Sequence, residues 1–166
     1  FIKKLWILNG FHLQLAYFGL ANKNKFMHEL FVGNKNIEFS KKAIESLAEA
    51  YTLFDKNAEN IDAYKETIFN RFSEPEVKDE LLRVARNPLI KFNQSERFHA
   101  PLHLLLKNNS NIDTFKSVFQ TLINEDFGNI EGFPEFKKLL NNGIEEFLND
   151  FWNVGSDLEI YLAKLK

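Results

Sequence analysis

From Leu5 to Phe18 the chain is apolar almost without a break: Leu5-Trp6-Ile7-Leu8, then Phe11, Leu13 and Leu15-Ala16-Tyr17-Phe18. Read as a helix at ~100° per residue, these side chains cover nearly every direction, and a helix apolar all round has to be buried. The run is shorter than the ~18 residues that a membrane span requires. Its expected place is therefore the centre of a globular helical domain. Three polar side chains share one sector of this helix. Taking Lys4 as the origin, His12 falls at about 80° and Asn9 at about 140°. A lysine, an amide and an imidazole converging inside an apolar helix are costly unless paired or put to use. That arrangement is the sequence pattern of a proton-transfer site. An ordinary structural reading stands beside it, with Lys4 in an exposed first turn, Asn9 bonded to local backbone and His12 a satisfied core histidine.

The remaining segments also carry a helical period, and no alternating strand pattern is present. Helices are expected over 4–22, 25–31 and 39–56, the last with Ala43, Leu47, Ala50, Tyr51 and Phe54 as its apolar stripe. Further helices are expected over 61–72 and 76–85. The residue before Pro88 is pushed out of the helical region, so 87–95 reads as a polar loop, with Ser95 capping a helix to Leu106. Two more are expected over 113–125 and 134–152, with Gly143 as a soft point in the second, and 157–166 closes the chain. The fold class is all-α, a multi-helix, bundle-like single domain over residues 1–166.

Lysine and arginine number 21 against 23 aspartate and glutamate. With no basic block or RNA-binding signature, this balance gives no expectation of a nucleic-acid partner, and none of a membrane partner. There is no cysteine, which fits the cytoplasm and removes thiolate metal sites. The seven glycines form no G-x-G-x-x-G after a strand, so a dinucleotide cradle is not expected within these residues. The chain starts at Phe1 and its single methionine is Met27, which suggests that part of a longer protein lies upstream.

A second constellation is basic. Arg83, Arg86, Lys91 and Arg97 fall within fifteen residues around the 87–95 loop. Guanidinium forks bind phosphate and carboxylate bidentately, so the cluster suits an anionic substrate. Against this, Asp79 stands four residues before Arg83 and Glu96 adjoins Arg97, as ordinary surface pairs do. His28 is expected to be exposed. His99 and His103 have a metal-compatible spacing, but neither the H-E-x-x-H glutamate nor a third ligand accompanies them, so no metal site is assigned. Glu45, Glu49, Glu145 and Glu146 read as solvated.

Lys4-Leu5-Trp6-Ile7-Leu8-Asn9-Gly10-Phe11-His12 has the form K-x-x-x-x-N-x-x-H, which resembles the signature of the polyol-specific long-chain dehydrogenases, the mannitol dehydrogenase family. The likeness continues through Ala16-Tyr17-Phe18-Gly19 and Arg71-Phe72-Ser73-Glu74-Pro75, where Glu74 departs from the family's usual asparagine. It is most marked from Asp79 and Arg83-Val84-Ala85-Arg86 through Asn87-Pro88-Leu89-Ile90-Lys91 to Glu96-Arg97 and Pro101, which is similar to the mannitol-1-phosphate branch. There Asn87 replaces an aspartate and Ile90 a basic residue.

The resemblance implies a helical substrate domain like the C-terminal domain of 6-phosphogluconate dehydrogenase-like enzymes, joined to an N-terminal Rossmann domain that binds NAD. It implies metal-independent interconversion of mannitol 1-phosphate and fructose 6-phosphate. Lys4 would be the acid–base, Asn9 an alkoxide donor and His12 a substrate-orienting group. Arg83 and Lys91 match substrate-binding positions, and Arg86 and Arg97 are additional phosphate contacts. The isolated domain is expected to be inactive. Two alternatives stay open: the same domain in a mannitol 2-dehydrogenase or hexuronate reductase, and a non-enzymatic helical interaction module.

Overall fold

The computed structural model describes residues 1–166. The apolar run forms one continuous helical rod, a π-helical stretch over Lys4–Asn9 leading directly into α1 (Gly10–Ala21). Phe11, Leu15, Ala16 and Tyr17 are completely buried, as an all-round apolar helix requires. The rod is the axis of the domain. Packed against it are α2 (Asn34–Phe54), α4 (Leu81–Val84) and α7 (Asp113–Asn124).

The other elements form a shell around this axis. They are a 3₁₀ turn at Met27–Phe31, α3 (Ile61–Phe72), α5 (Pro88–Lys91), α6 (His99–Lys107), α8 (Phe133–Asn141), α9 (Ile144–Glu146) and α10 (Leu158–Leu165). No strand is present. One isolated antiparallel bridge joins Phe26 to Glu80.

Several expected boundaries move, each for a local reason. α2 begins at Asn34 rather than Phe39, because Gly33 at φ 86° turns the chain straight into it. The expected 76–85 helix is reduced to α4. Upstream of α4 the backbone is committed elsewhere: Met27 N donates to Asp79 O and Leu81 N to Lys25 O, both at 2.9 Å. The 87–95 segment is not all loop. Asn87 adopts the left-handed conformation at φ 60°, and Pro88 then opens the one-turn α5. Ser95 caps nothing, and α6 begins at His99. The long C-terminal helix divides at Gly143, whose φ of 121° ends α8, and it continues through α9 into a π-helical turn at Phe147–Phe151.

A large share of the chain's phenylalanines build one aromatic core beside α1. Phe92 lies 5.2 Å from Tyr17, 5.0 Å from Phe98 and 5.4 Å from Phe136 between ring centroids. The Trp152 indole N–H donates to the Phe92 carbonyl at 2.7 Å. This core holds the α5 turn, and with it Lys91, against the central helix.

Candidate functional site

The π-helical stretch sets the geometry of the first motif. Gly10 N donates to Leu5 O, an i→i+5 bond, so the opening turns are wider than an α-helix and residues five apart are brought toward one face. Lys4 and Asn9 are such a pair. Gly10 then allows a close approach: a Cβ at this position would lie 2.7 Å from the carbonyl oxygen of Arg97. The backbone of the second motif is thus seated directly on the helix of the first, one residue from Asn9.

The result is a small cavity of about 110 Å³ lined by Asn9, His12, Leu13, Arg83, Val84, Arg86, Lys91 and Arg97. Two residues of the first motif and all four cations of the second meet there, although they are more than seventy positions apart in sequence. The Asn9 amide is half-buried on this cavity. The Lys91 ammonium donates to Val84 O at 2.6 Å. Burial, reinforced by the neighbouring charges of Arg97, Arg86 and Arg83, pushes its pKa down to about 8. Arg97 is held by Glu96 at 3.2 Å, and Arg86 Nε donates to Arg83 O at 3.1 Å. Such a clustering of like charge is relieved by an anion.

His12 and Arg83 are joined by a residue that the sequence pattern shows only as a surface partner. Asp79 accepts a hydrogen bond from His12 Nε2 at 2.7 Å on one oxygen and from Arg83 Nη2 on the other. The bond from His12, then that from Arg83, holds the Asp79 carboxyl below its usual range against the opposing effect of burial. The His12 ring stacks on Phe72 with 4.6 Å between centroids. A second cavity of about 300 Å³ lies along this bridge, lined by His12, Asp79 and Arg83 together with Met27, Arg71, Phe72, Val77 and Lys78.

Lys4 follows the ordinary structural reading of the sequence, an exposed first turn. It is exposed and does not line the cavity, so the three polar groups of the first helix do not converge in a buried setting. The physical reason is that the first turns are covered on one side only, where Leu5, Trp6 and Ile7 pack inward.

The histidine readings also change. His28 is half-buried rather than exposed, with Nδ1 enclosed and without a partner. His99 and His103 converge on the Tyr161 hydroxyl, at 2.7 and 2.8 Å, and His99 Nδ1 donates to Gln94 O at 2.8 Å. Glu45, Glu49, Glu145 and Glu146 are exposed as expected.

Comparison with known proteins accords with this geometry. Residues 1–124, which contain every residue of both motifs, match the model of the mannitol dehydrogenase C-terminal domain. The chain belongs to the mannitol dehydrogenase family. It is 31% identical to a mannitol-1-phosphate 5-dehydrogenase of Mycoplasma pneumoniae over 84% of its length, which is 39% of that protein. To the mannitol-1-phosphate 5-dehydrogenase of Alternaria alternata it is 32% identical over 87% of its length and 38% of the relative. This mannitol dehydrogenase domain thus spans about two fifths of the length of the curated relatives it matches. In fold it is similar to a Pseudomonas fluorescens mannitol 2-dehydrogenase solved as a ternary complex with NAD and D-mannitol. The TM-score is 0.71 at 19% identity, over 99% of this chain and 36% of that one. The all-α architecture is that of the family.

Proposed function

We propose that this domain binds the sugar-phosphate substrate of an NAD-dependent oxidoreductase that interconverts mannitol 1-phosphate and fructose 6-phosphate. The observation carrying this reading is the shared cavity, where Asn9 and His12 open onto the same space as Arg83, Arg86, Lys91 and Arg97. A polyol-phosphate needs both kinds of group, hydrogen-bonding partners at its hydroxyls and a cationic cradle at its phosphate. The names of the relatives point to the same substrate class.

In this reading Lys4 holds or releases the proton at the substrate's reacting oxygen. Asn9 donates to that oxygen as negative charge develops on it, an interaction worth ~3 kcal/mol where such donors have been removed. His12 orients a neighbouring hydroxyl, Arg83 and Lys91 grip the substrate, and Arg86 and Arg97 add phosphate contacts. Lys4 is exposed on this domain, so the desolvation that suits a proton-transferring lysine would come from a surface closing over it. A nicotinamide bound beside the substrate would supply or take the hydride. With no strand and no glycine-rich strand-to-helix turn, these residues do not make a dinucleotide cradle, and NAD would be held mainly by a Rossmann domain outside them.

A second reading, a mannitol 2-dehydrogenase acting on the unphosphorylated sugar, is favoured by the fold neighbour's complex with D-mannitol. The deciding measurement is NADH oxidation with fructose 6-phosphate and with fructose, using the chain joined to its upstream sequence. A preference of at least ~100-fold in kcat/KM for the phosphorylated sugar is expected, since a charged, hydrogen-bonded contact contributes ~2–3 kcal/mol or more. Preference for fructose selects the second reading. Activity with neither sugar sinks both sugar assignments and leaves the hexuronate reductase and the helical interaction module.

A further inference from the structure

The carboxylate of Asp79 has a role beyond pairing with Arg83. It is ionised and can only accept, so the 2.7 Å contact from His12 Nε2 requires the proton to be on that nitrogen. Neutral His12 is therefore the Nε2–H tautomer, and Nδ1 carries the lone pair. Nδ1 has no protein partner and is not enclosed. A bare ring nitrogen accepts but does not donate, so its ligand must bring a hydrogen. A substrate hydroxyl does so, whereas an ionised phosphate oxygen does not.

The grip on His12 is built from several sides. Asp79 is 67 positions from His12 in sequence, yet its backbone is fixed on both flanks, with its carbonyl accepting from Met27 N and its own N–H donating to Val77 O at 2.9 Å. The imidazole lies on the face of Phe72, which fixes its plane. The remaining carboxylate oxygen takes Arg83, so one side chain sets both the hydroxyl-facing imidazole and a cation of the anion cradle.

We propose that Asp79 is a positioning residue, holding His12 in the Nε2–H tautomer so that Nδ1 accepts a hydrogen bond from a substrate hydroxyl while Arg83 is aimed into the same cavity. The kinetic part rests on the functional reading above; the tautomer does not. Asp79→Asn is the discriminating change. An asparagine has one acceptor oxygen for two donors, so its amide N–H must confront either Arg83, which cannot accept, or His12, whose proton it drives to Nδ1. Asp79→Glu keeps the charge and both acceptors.

The first experiment reads the tautomer in the 166-residue chain by long-range ¹H–¹⁵N correlation of the His12 ring. A protonated Nε2 is expected in the unsubstituted chain, and a reduced population of it in Asp79→Asn. A protonated Nδ1 in the unsubstituted chain overturns the proposal outright. The second is a double-mutant cycle in the longer, active protein. Asp79→Asn should lower kcat/KM for the sugar by ~10²-fold or more, with Asp79→Glu recovering much of the loss. Combined with His12→Ala, Asp79→Asn should cost clearly less than the product of the two single losses, because only its hold on Arg83 is left to lose. Independent, multiplying losses would assign Asp79 a merely structural role. If neither sugar is turned over by the unsubstituted protein, the functional reading fails while the tautomer stands or falls on the spectra.

Discussion

Lys91 shows most clearly what the site costs the domain that carries it. Its pKa is depressed from 10.5 to about 8, by burial first and by Arg97, Arg86 and Arg83 after it. Between those two values the unfolded chain holds more protons than the folded one, so stability rises with pH through that window, and below it the charged lysine is a burden. Lys91→Met should therefore raise the midpoint of urea unfolding at pH 7, by an amount moderated because the side chain is only half-buried, while weakening sugar-phosphate binding at least ~tenfold. A variant less stable than the parent would mean that the bond from Lys91 to Val84 O outweighs the desolvation. At this scale the sequence was legible where chemistry follows from residue type: Asn9, His12 and the four cations do meet. For Lys4 it left two readings open, converging or exposed, because an apolar pattern at ~100° per residue says nothing of which side of an end turn is left uncovered. The link from Asp79 to His12 was not legible, since it crosses 67 positions and has no local signal.

Elements are positioned by close approaches that glycine permits, and the central rod has two with different consequences. At Gly10 a Cβ would meet the Arg97 carbonyl at 2.7 Å, and that backbone cannot yield without moving the start of α6. At Gly19 the nearest atoms are Leu81 Cδ1 at 2.6 Å and Leu30 Cδ2 at 2.8 Å, the ends of side chains that can rotate. Gly10→Ala should thus destabilise by ~2–3 kcal/mol, at the upper part of the range for overpacking, and shift Arg97 out of the cavity, with a raised KM for the phosphorylated sugar. Gly19→Ala should cost less and leave KM unchanged; equal effects in both denaturation and kinetics would discard the distinction. Long periodic helices such as 61–72 could be read directly from sequence, because spacing alone specifies them. Residues 76–85 misled because their helical period is overridden by the backbone bonds from Met27 and Leu81 that tie this segment to residues 25–27. The π-helical opening carries no composition signal that separates it from an ordinary α-turn.

For the whole molecule, the question is what residues 125–166 do, since both motifs lie within residues 1–124. The structure answers with two struts, Trp152 bonded to the Phe92 carbonyl behind Lys91, and Tyr161 bonded to His99 and His103 on α6. The second strut has a defined proton arrangement. His99 Nδ1 donates to the Gln94 carbonyl, so neutral His99 accepts at Nε2 from Tyr161, and the tyrosine oxygen in turn accepts from His103 Nδ1. Burial pushes the His99 pKa from 6.5 down to about 4, so from pH 6.5 down to about 4 the unfolded chain binds the extra proton and the fold loses stability as the medium is acidified. The loss should approach ~3 kcal/mol at pH 4, and it precedes that of Asp79, whose contribution disappears only as pH falls below the ordinary carboxylate range. Urea titrations between pH 4 and pH 7 would measure it, with His99→Phe flattening the slope in that window. An unchanged slope would place the acid-sensitive group elsewhere. Tyr161→Phe should lower stability by ~1–3 kcal/mol at pH 7, by leaving both imidazole nitrogens without their partner. Because α6 follows directly on Arg97, the same variant should loosen the anion cradle although Tyr161 touches none of its cations. A Tyr161→Phe protein with weakened folding but unaltered sugar-phosphate affinity would show that the strut supports the fold alone.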